Sequence, residues 1–373
     1  MTGQSITAAD AEHLRRALEL AEGGRGRVSP NPLVGAVLVR DGEVIGEGFH
    51  AELGGLHAER AALADCRGRG HDPAGATMYV TLEPCAHQGH QPPCVDALLE
   101  ARVGRVVIAS EDPSEKASGR GPGILRDGGV EVAFAAGPEA AAARQLNQAF
   151  RKHARTGLPL VVLKLAMSLD GETTTAPGES PWISGELSRA LVHGWRSEAD
   201  AIAVGIGTAL ADDPLLTARY ADARQPVRVV FDSDARLPLN SQLLASLDQS
   251  PLLVVTAPAA DGSRLRALRD AGVEIVVSSG GTRADRVVSA LADFGRRGIT
   301  SLFLEGGKTL ATAFVAAEQV DESRTFVAPV LLGPAGGGPG QPWQANPVRL
   351  TALESRSEAV GEDTLITARY KEW

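Results

Sequence analysis

TLEPCAHQGHQPPC, residues 81–94, places Cys85 and Cys94 each directly after a proline. The stretch starts in a strand-like run, TMYVTL (77–82), and leads into a helix-like one at 94–102. Upstream, His57-Ala58-Glu59 opens another helix-like stretch over 58–66. Thiolate and imidazole are ligands that zinc prefers, and three protein ligands leave the fourth tetrahedral position to water, as in catalytic zinc sites. His57, Cys85 and Cys94 are therefore the candidate metal ligands. Zinc lowers the pKa of the water it binds to about 7, and a carboxylate beside it can carry the proton onward. Glu59 is the candidate for that proton transfer.

A His-x-Glu, then Pro-Cys and a second cysteine, is the residue set of the zinc nucleobase deaminases, in which the glutamate is acid and base and not a ligand. Helix starts at both Pro-Cys sites would favour the thiolates, because unpaired N–H groups and the helix dipole stabilise negative charge. A closed structural zinc site is the alternative, with His87 or His90 as the fourth ligand. Cys66 reads as a plain core thiol.

Working outward, residues 7–22 carry Ala11, Leu14, Leu18 and Ala21 at helical spacing, behind Thr7 as cap and ahead of Gly23-Gly24. VGAVLVR, Asp41-Gly42 and EVIGEGFH predict a hairpin with a two-residue turn. With further strands at 105–110 and 130–134, the opening part predicts an α/β layered sandwich. A polar helix over 138–155 leads to Thr156-Gly157-Leu158-Pro159, the expected boundary between a first domain, 1–157, and a second, 158–373. The second domain alternates strands at 160–167, 200–205, 227–232, 252–256, 273–278, 301–305 and 326–332 with helices at 185–197, 263–271, 283–297 and 308–318. No internal repeat is visible.

Composition agrees with this division. At about 150 residues per domain, a chain of 373 residues favours two. A net charge of −9, from 37 Lys and Arg against 46 Asp and Glu, argues against a general nucleic-acid or anionic-membrane binder. A deaminase acting on a base in nucleic acid is disfavoured for the same reason, and no basic stretch is interleaved with aromatics. A non-catalytic zinc-stabilised binding protein is the alternative from another class, but it gives Glu59 no purpose. Three cysteines cannot form a disulfide framework. With no basic segment leading into an apolar run near the start and no 18-residue apolar stretch, a cytoplasmic location without membrane association is the expectation. The 42 glycines and 22 prolines suit many tight turns around glycine-lined sites.

Two nucleotide motifs fail in the second half. After Gly205-Ile206-Gly207-Thr208, the third glycine of a dinucleotide fingerprint falls at Leu210. Gly307-Lys308-Thr309 ends like a phosphate loop, but its first glycine position holds Leu302. What remains is the strand SLFLE, then Gly306-Gly307, then a helix, where glycines admit a diphosphate close to the backbone and the helix start offers N–H groups.

On "SPNPLVGAVLV", "GEGFHAELGGLHAE" and "YVTLEPCAHQGHQPPC", with eight residues between the cysteines, the chain resembles the deaminase half of the bifunctional riboflavin-biosynthesis deaminase/reductase family, the RibD or RibG type. "LKLAMSLDGETT", "GESPWIS", "GTALADDPLLTAR" and "LEGGKTLATAF" resemble its reductase half. The resemblance implies a cytidine-deaminase-like three-layer sandwich followed by a dihydrofolate-reductase-like α/β domain. It implies one zinc on His57, Cys85 and Cys94, with Glu59 as proton shuttle and Asn31 and His50 around the deaminase substrate. It implies NADPH at Ala166, Trp182, Thr208, Asp212, Ser233 and the segment Gly307, Lys308, Thr309, Leu310, Ala311, Thr312 and Ala313. Ser180, Arg196, Leu216, Arg219 and Glu305 are implied to hold a phosphoribosyl pyrimidine, in a homo-oligomer. Gly89-His90-Gln91 and Ser114-Glu115 depart from the family's usual residues near the deaminase pocket.

Overall fold

The computed structural model describes residues 6–89, 91–115, 119–175, 182–220, 223–333 and 348–373. The chain divides into two compact units, Met1–Thr156 with Trp373, and Gly157–Glu372.

The first unit begins with α1 (Ala8–Ala21), capped reciprocally by Thr7 and Asp10. β1 (Gly35–Arg40) and β2 (Glu43–Phe49) form the expected hairpin, with Asp41 and Gly42 both at positive φ, as a type I′ turn requires. Then follow α2 (Ala58–Gly68), β3 (Thr77–Val80), α3 (Cys94–Glu100), β4 (Arg105–Ile108), α4 (Arg120–Asp127), β5 (Glu131–Phe134), α5 (Pro138–Leu146) and α6 (Gln148–Thr156). The strands align in the order β2-β1-β3-β4-β5, with β3, β4 and β5 mutually parallel.

Alternation along β1 builds the two faces of this sheet. Ala36 and Leu38 meet α2, α3 and α4 through Leu63, Leu98 and Leu125, while Val37 and Val39 meet α1 and α5 through Leu14 and Ala143. On the first face α2 lies against bare backbone: a Cβ on Gly48 would stand 2.3 Å from the Ala62 nitrogen, and one on Gly46 2.4 Å from the Ala62 oxygen. Those two glycines let the helix that starts at His57-Ala58-Glu59 sit directly on β2.

The second unit comprises β6 (Leu160–Ser168), α7 (Glu186–Glu198), β7 (Ala201–Gly205), α8 (Ile206–Asp212), β8 (Val227–Phe231), α9 (Gln242–Ala245) and β9 (Leu252–Thr256). It continues with α10 (Gly262–Asp270), β10 (Glu274–Val277), α11 (Arg283–Arg296), β11 (Ser301–Leu304), α12 (Lys308–Ala316), β12 (Glu322–Ala328), β13 (Glu354–Val360) and β14 (Asp363–Arg369). The sheet order is β10-β9-β8-β7-β11-β6-β12-β14-β13, parallel from β10 to β12 and antiparallel beyond. One face packs on α11 and α12 through Leu291, Phe294 and Phe314, the other on α7 and α10 through Val192 and Leu268. Both faces are covered, as parallel sheets require.

Several elements differ from their sequence expectation. The single helix over 138–155 is two, α5 and α6, because Asn147 leaves the helix to exchange hydrogen bonds with the Leu33 N–H at 2.8 Å and carbonyl at 2.9 Å. The strand expected at 326–332 lies at 322–328, starting in polar residues that pair with β14 and β6. α4, α8, α9, β13 and β14 were not anticipated.

Candidate active sites

The first site forms where α2, the loop before α3, and β1 converge. His57 is the N-cap of α2, and Cys94 is the first residue of α3. The His57 Nδ1 lies 3.5 Å from Cys85 Sγ and 3.3 Å from Cys94 Sγ. All three ligand atoms lie within 4.8 Å of one another, and among the described residues no fourth His, Cys, Asp or Glu joins them. His87 is exposed and stands apart, and His90 lies outside the described residues. Among the described residues the arrangement is the open, three-ligand one.

No helix begins at Cys85; it sits in irregular backbone, contrary to the expectation of helix starts at both cysteines. Its sulfur instead accepts the Cys94 backbone N–H at 3.3 Å. The Cys94 thiol, with burial opposing and the His57 imidazole and that N–H assisting, lowers the Cys85 pKa to about 4. Cys94 and His57 are both pushed upward by their contact with Cys85. One sulfur thus carries the negative charge that a divalent cation would neutralise on binding.

Glu59, in the first turn of α2, is 3 % exposed. Burial first, and the Cys85 thiolate second, raise its carboxyl to about 7, near the range where a group both gives and takes protons at neutral pH. Asn31 and His50 meet each other: the Asn31 Nδ2 lies 3.1 Å from His50 Nε2, and His50 Nδ1 lies 2.9 Å from the Leu56 carbonyl. A carbonyl only accepts, so Nδ1 carries the hydrogen and Nε2 accepts from Asn31. Burial lowers the His50 pKa, consistent with this neutral ring. His50 therefore orients Asn31 and packs edge-on against His57, with ring centres 5.4 Å apart.

Sequence reasoning missed Arg60. It reaches from α2 to donate to the Pro92 carbonyl at 3.3 Å and the Pro93 carbonyl at 2.8 Å, clasping the turn that delivers Cys94. Its position directly after Glu59 was the only signal.

The second site lies at the C-terminal ends of the adjacent parallel strands β8-β7-β11-β6. Ser233 follows β8, Thr208 and Asp212 lie in α8 after β7, Glu305 and Gly307 through Ala313 follow β11, and Ala166 is near the end of β6. A Cβ on Gly306 would stand 3.0 Å from the Leu310 Cβ, a tight approach that favours a bare residue where α12 closes on β11, while one on Gly307 would meet only Thr208 Oγ1, at 3.7 Å. Gly307 is the N-cap of α12, and no side chain caps this helix start. Lys308 lies 3.8 Å from Glu172, and Thr312 turns back to the Lys308 carbonyl at 2.8 Å. Ala311 and Ala313 are buried on the sheet, so only their backbone can face a ligand. Trp182 is exposed with Arg189 over its ring at 5.2 Å. Ser180 lies outside the described residues.

Arg196 in α7 holds Glu305 in a two-pronged pair at 2.7 and 2.9 Å. Burial opposes the Glu305 charge, but Arg196 and Lys164 outweigh it and hold its carboxyl below the usual range. Lys164 was missed; its signal was a lone charge inside the apolar run LVVLKLAM (160–167). Burial lowers its pKa while Glu305 raises it. His193, on the same helix as Arg196, has its pKa lowered by burial and then by Arg196 and Arg219. Leu216 is buried at φ 56°, and Arg219 is exposed beside it in sequence. Arg196 and Lys164 set two cations beside one carboxylate here, so an acidic chain presents a locally positive site.

Comparison with known proteins agrees with both geometries. Residues 7–110 match the cytidine and deoxycytidylate deaminase zinc-binding region, and residues 159–366 match the RibD C-terminal domain. The riboflavin biosynthesis protein RibD of Actinobacillus pleuropneumoniae is 40% identical over 367 residues, covering 96% of this chain and 95% of that one. RibD of Acinetobacter baumannii superposes with a TM-score of 0.83 at 35% identity, covering 98% of this chain and 99% of that one. A Thermotoga maritima protein described as a diaminohydroxyphosphoribosylaminopyrimidine deaminase/5-amino-6-(5-phosphoribosylamino)uracil reductase gives 0.84 at 34%, over 97% and 99% of the two chains. No helix among the described residues is long and apolar enough to cross a membrane. With a zinc-binding deaminase half and an NADPH-using reductase half, the chain belongs to the RibD family of bifunctional riboflavin-biosynthesis enzymes.

Proposed function

We propose that residues 1–157 deaminate a 2,5-diamino-6-(5-phosphoribosylamino)pyrimidin-4(3H)-one and that residues 158–373 reduce the ribosyl group of the product to a ribityl chain. The convergence of His57, Cys85 and Cys94 within 4.8 Å beside the buried carboxyl of Glu59 carries this reading. The donor set fits zinc: two thiols and one imidazole, one sulfur already poised as thiolate. Zinc held there lowers the pKa of a water it binds and so supplies a nucleophile at neutral pH. Glu59 passes protons to the ring nitrogen and to the departing ammonia. Asn31, fixed by His50, offers its amide to the pyrimidine.

In the second domain, NADPH supplies the hydride for C1′ of the opened ribose. The bare turn at Gly306-Gly307 and the start of α12 take its diphosphate; Ala166, Trp182, Thr208, Asp212 and Ser233 border the rest. Arg219 suits the substrate phosphate, while Arg196 orients Glu305 toward the sugar; Leu216 and Ser180 are assigned to the same substrate on the family likeness alone. Hydride transfer asks mainly for orientation of the two reactants, which these positions provide. A cytoplasmic location fits three cysteines that all remain thiols, and assembly as a homo-oligomer rests on the family likeness alone.

The test is an assay of purified protein on the diaminopyrimidine phosphate, with and without NADPH, following ammonia release and nicotinamide absorbance. Ammonia release without NADPH, and NADPH oxidation only once deamination has occurred, is the expected pattern. Absence of ammonia release overturns the first assignment, and absence of oxidation with deaminated substrate overturns the second.

A further inference from the structure

We propose that Arg236 and Arg264 form the subsite for the 2′-phosphate of NADPH and so set a preference for NADPH over NADH. This rests on the reading of the second domain as the reductase. An open recess of about 500 Å³ is lined by the 235–239 turn after β8 and by Arg264, Ala267 and Leu268 of α10. Leu237 and Leu268 are buried, whereas both arginines are exposed at its mouth.

Three observations point the recess at the cofactor. The first is position. In open α/β sheets ligands lie outside the carboxyl ends of the strands, and this recess flanks the end of β8. The bare turn at Gly306-Gly307 follows β11, two strands away in the order β8-β7-β11. Neighbouring strands are about 4.8 Å apart, so the two ends are separated by about 10 Å, within the reach of one adenosine ribose from a diphosphate. Ser233, exposed and three residues before Arg236, stands between the β8 end and the recess.

The second is charge. Two guanidinium groups border one recess in a chain of net charge −9. A dianionic phosphate matches a guanidinium fork in both charge and geometry, which a ribose hydroxyl does not.

The third is the way Arg236 is held. Its Nε lies 3.9 Å from Asp232 Oδ1 and 4.0 Å from Asp234 Oδ2, beyond hydrogen-bond length. Asp232 is fully buried and anchored by the Leu237 N–H at 2.8 Å. These carboxylates approach the Nε of Arg236 without a hydrogen bond to its terminal nitrogens. Among the described residues neither those nitrogens nor those of Arg264 form a hydrogen bond, and two exposed arginines left in this state suit an incoming anion.

The experiment measures binding of adenosine 2′,5′-bisphosphate and of adenosine 5′-phosphate to the full-length protein by calorimetry, in the wild type and in Arg236→Ala/Arg264→Ala. A hydrogen-bonded charge pair lost per arginine predicts roughly tenfold weaker binding each, hence about a hundredfold loss for the bisphosphate. The monophosphate should change by less than about twofold, and the KM for NADPH should rise while that for NADH stays put. Arg236→Lys/Arg264→Lys should recover part of the loss by retaining charge. Unchanged bisphosphate affinity, or equal weakening of both ligands, overturns the subsite. A wild type that binds neither nucleotide nor NADPH overturns the reading of the second domain itself, and retained adenosine 5′-phosphate binding shows that the second domain of the variants folds.

Discussion

Arg60 donates a 2.8 Å hydrogen bond from Nη2 to the carbonyl of Pro93, the residue that delivers Cys94 to the metal site. The same side chain leaves α2 one position after Glu59, so a single helix carries a ligand, the proton shuttle and the clasp on a second ligand. Outer contacts of this kind fix ligand geometry and are typically worth about 10- to 100-fold in metal affinity. Arg60→Ala should therefore raise the zinc dissociation constant by about tenfold or more, read by competition with a chromogenic chelator. Deamination should fall in parallel and recover in excess zinc. An unchanged dissociation constant would remove Arg60 from the metal site.

Glu59→Gln separates binding from chemistry. The amide keeps the size of the carboxyl, lies off the three-ligand set, and cannot move a proton. Zinc content by elemental analysis should stay at one per chain, while the rate of ammonia release falls by about 10²- to 10⁴-fold, the usual worth of a positioned acid/base group. NADPH oxidation with deaminated substrate should be unaffected. Full deamination in this variant would sink the assignment.

Gly48→Val tests why α2 lies where it does. A Cβ there would stand 2.3 Å from the Ala62 nitrogen, backbone that cannot step aside. Overpacking of this kind costs about 1–3 kcal/mol, visible as a lower thermal midpoint, and it should also loosen zinc because His57 rides on the displaced helix. Gly68→Ala is the contrast: it ends the same helix, nothing lies within 4 Å of its added methyl, and helix propensity predicts a neutral or slightly stabilising effect. Equal midpoints for the two variants would mean that the close approach does not constrain the helix.

What the sequence revealed and what it hid divide along physical lines. Local devices were legible: the Thr7 cap, the Asp41-Gly42 turn, the bare turn before α12 and the His57, Cys85, Cys94 pattern each depend on residues close in sequence or on strict ligand chemistry. Long-range partners were not. Asn147 breaks a helix because Leu33, 114 positions away, offers both a donor and an acceptor. The resemblance implies both Arg196 and Glu305 as substrate residues, but nothing in the sequence announces that they meet, 109 positions apart, in a two-pronged pair that only the juxtaposition of α7 with the end of β11 creates. β13 is an exposed edge strand, ESRSEAV, with no apolar alternation to announce it.

Asp10 gives the pH dependence of the first unit. Burial opposes its ionisation, but Arg105 at 2.7 Å, the Thr7 N–H at 2.8 Å and the Tyr79 hydroxyl at 2.8 Å outweigh burial and hold its carboxyl well below the ordinary range. An unfolded aspartate titrates at about 3.9, so between the two pKa values the unfolded chain binds the extra proton. Stability from Asp10 is then fully present above about pH 5 and is lost as pH falls through about 4 and below. Asp10→Asn keeps the shape but removes the charge, and should lose about 2 kcal/mol at neutral pH, the worth of a charged hydrogen bond. Denaturant midpoints of the two proteins should be well separated at about pH 7 and should draw together as pH falls below about 4, because the unfolded wild type then takes up a proton that the folded one still excludes. A gap that stays constant across that range would show that the Asp10–Arg105 contact contributes through shape and not through charge.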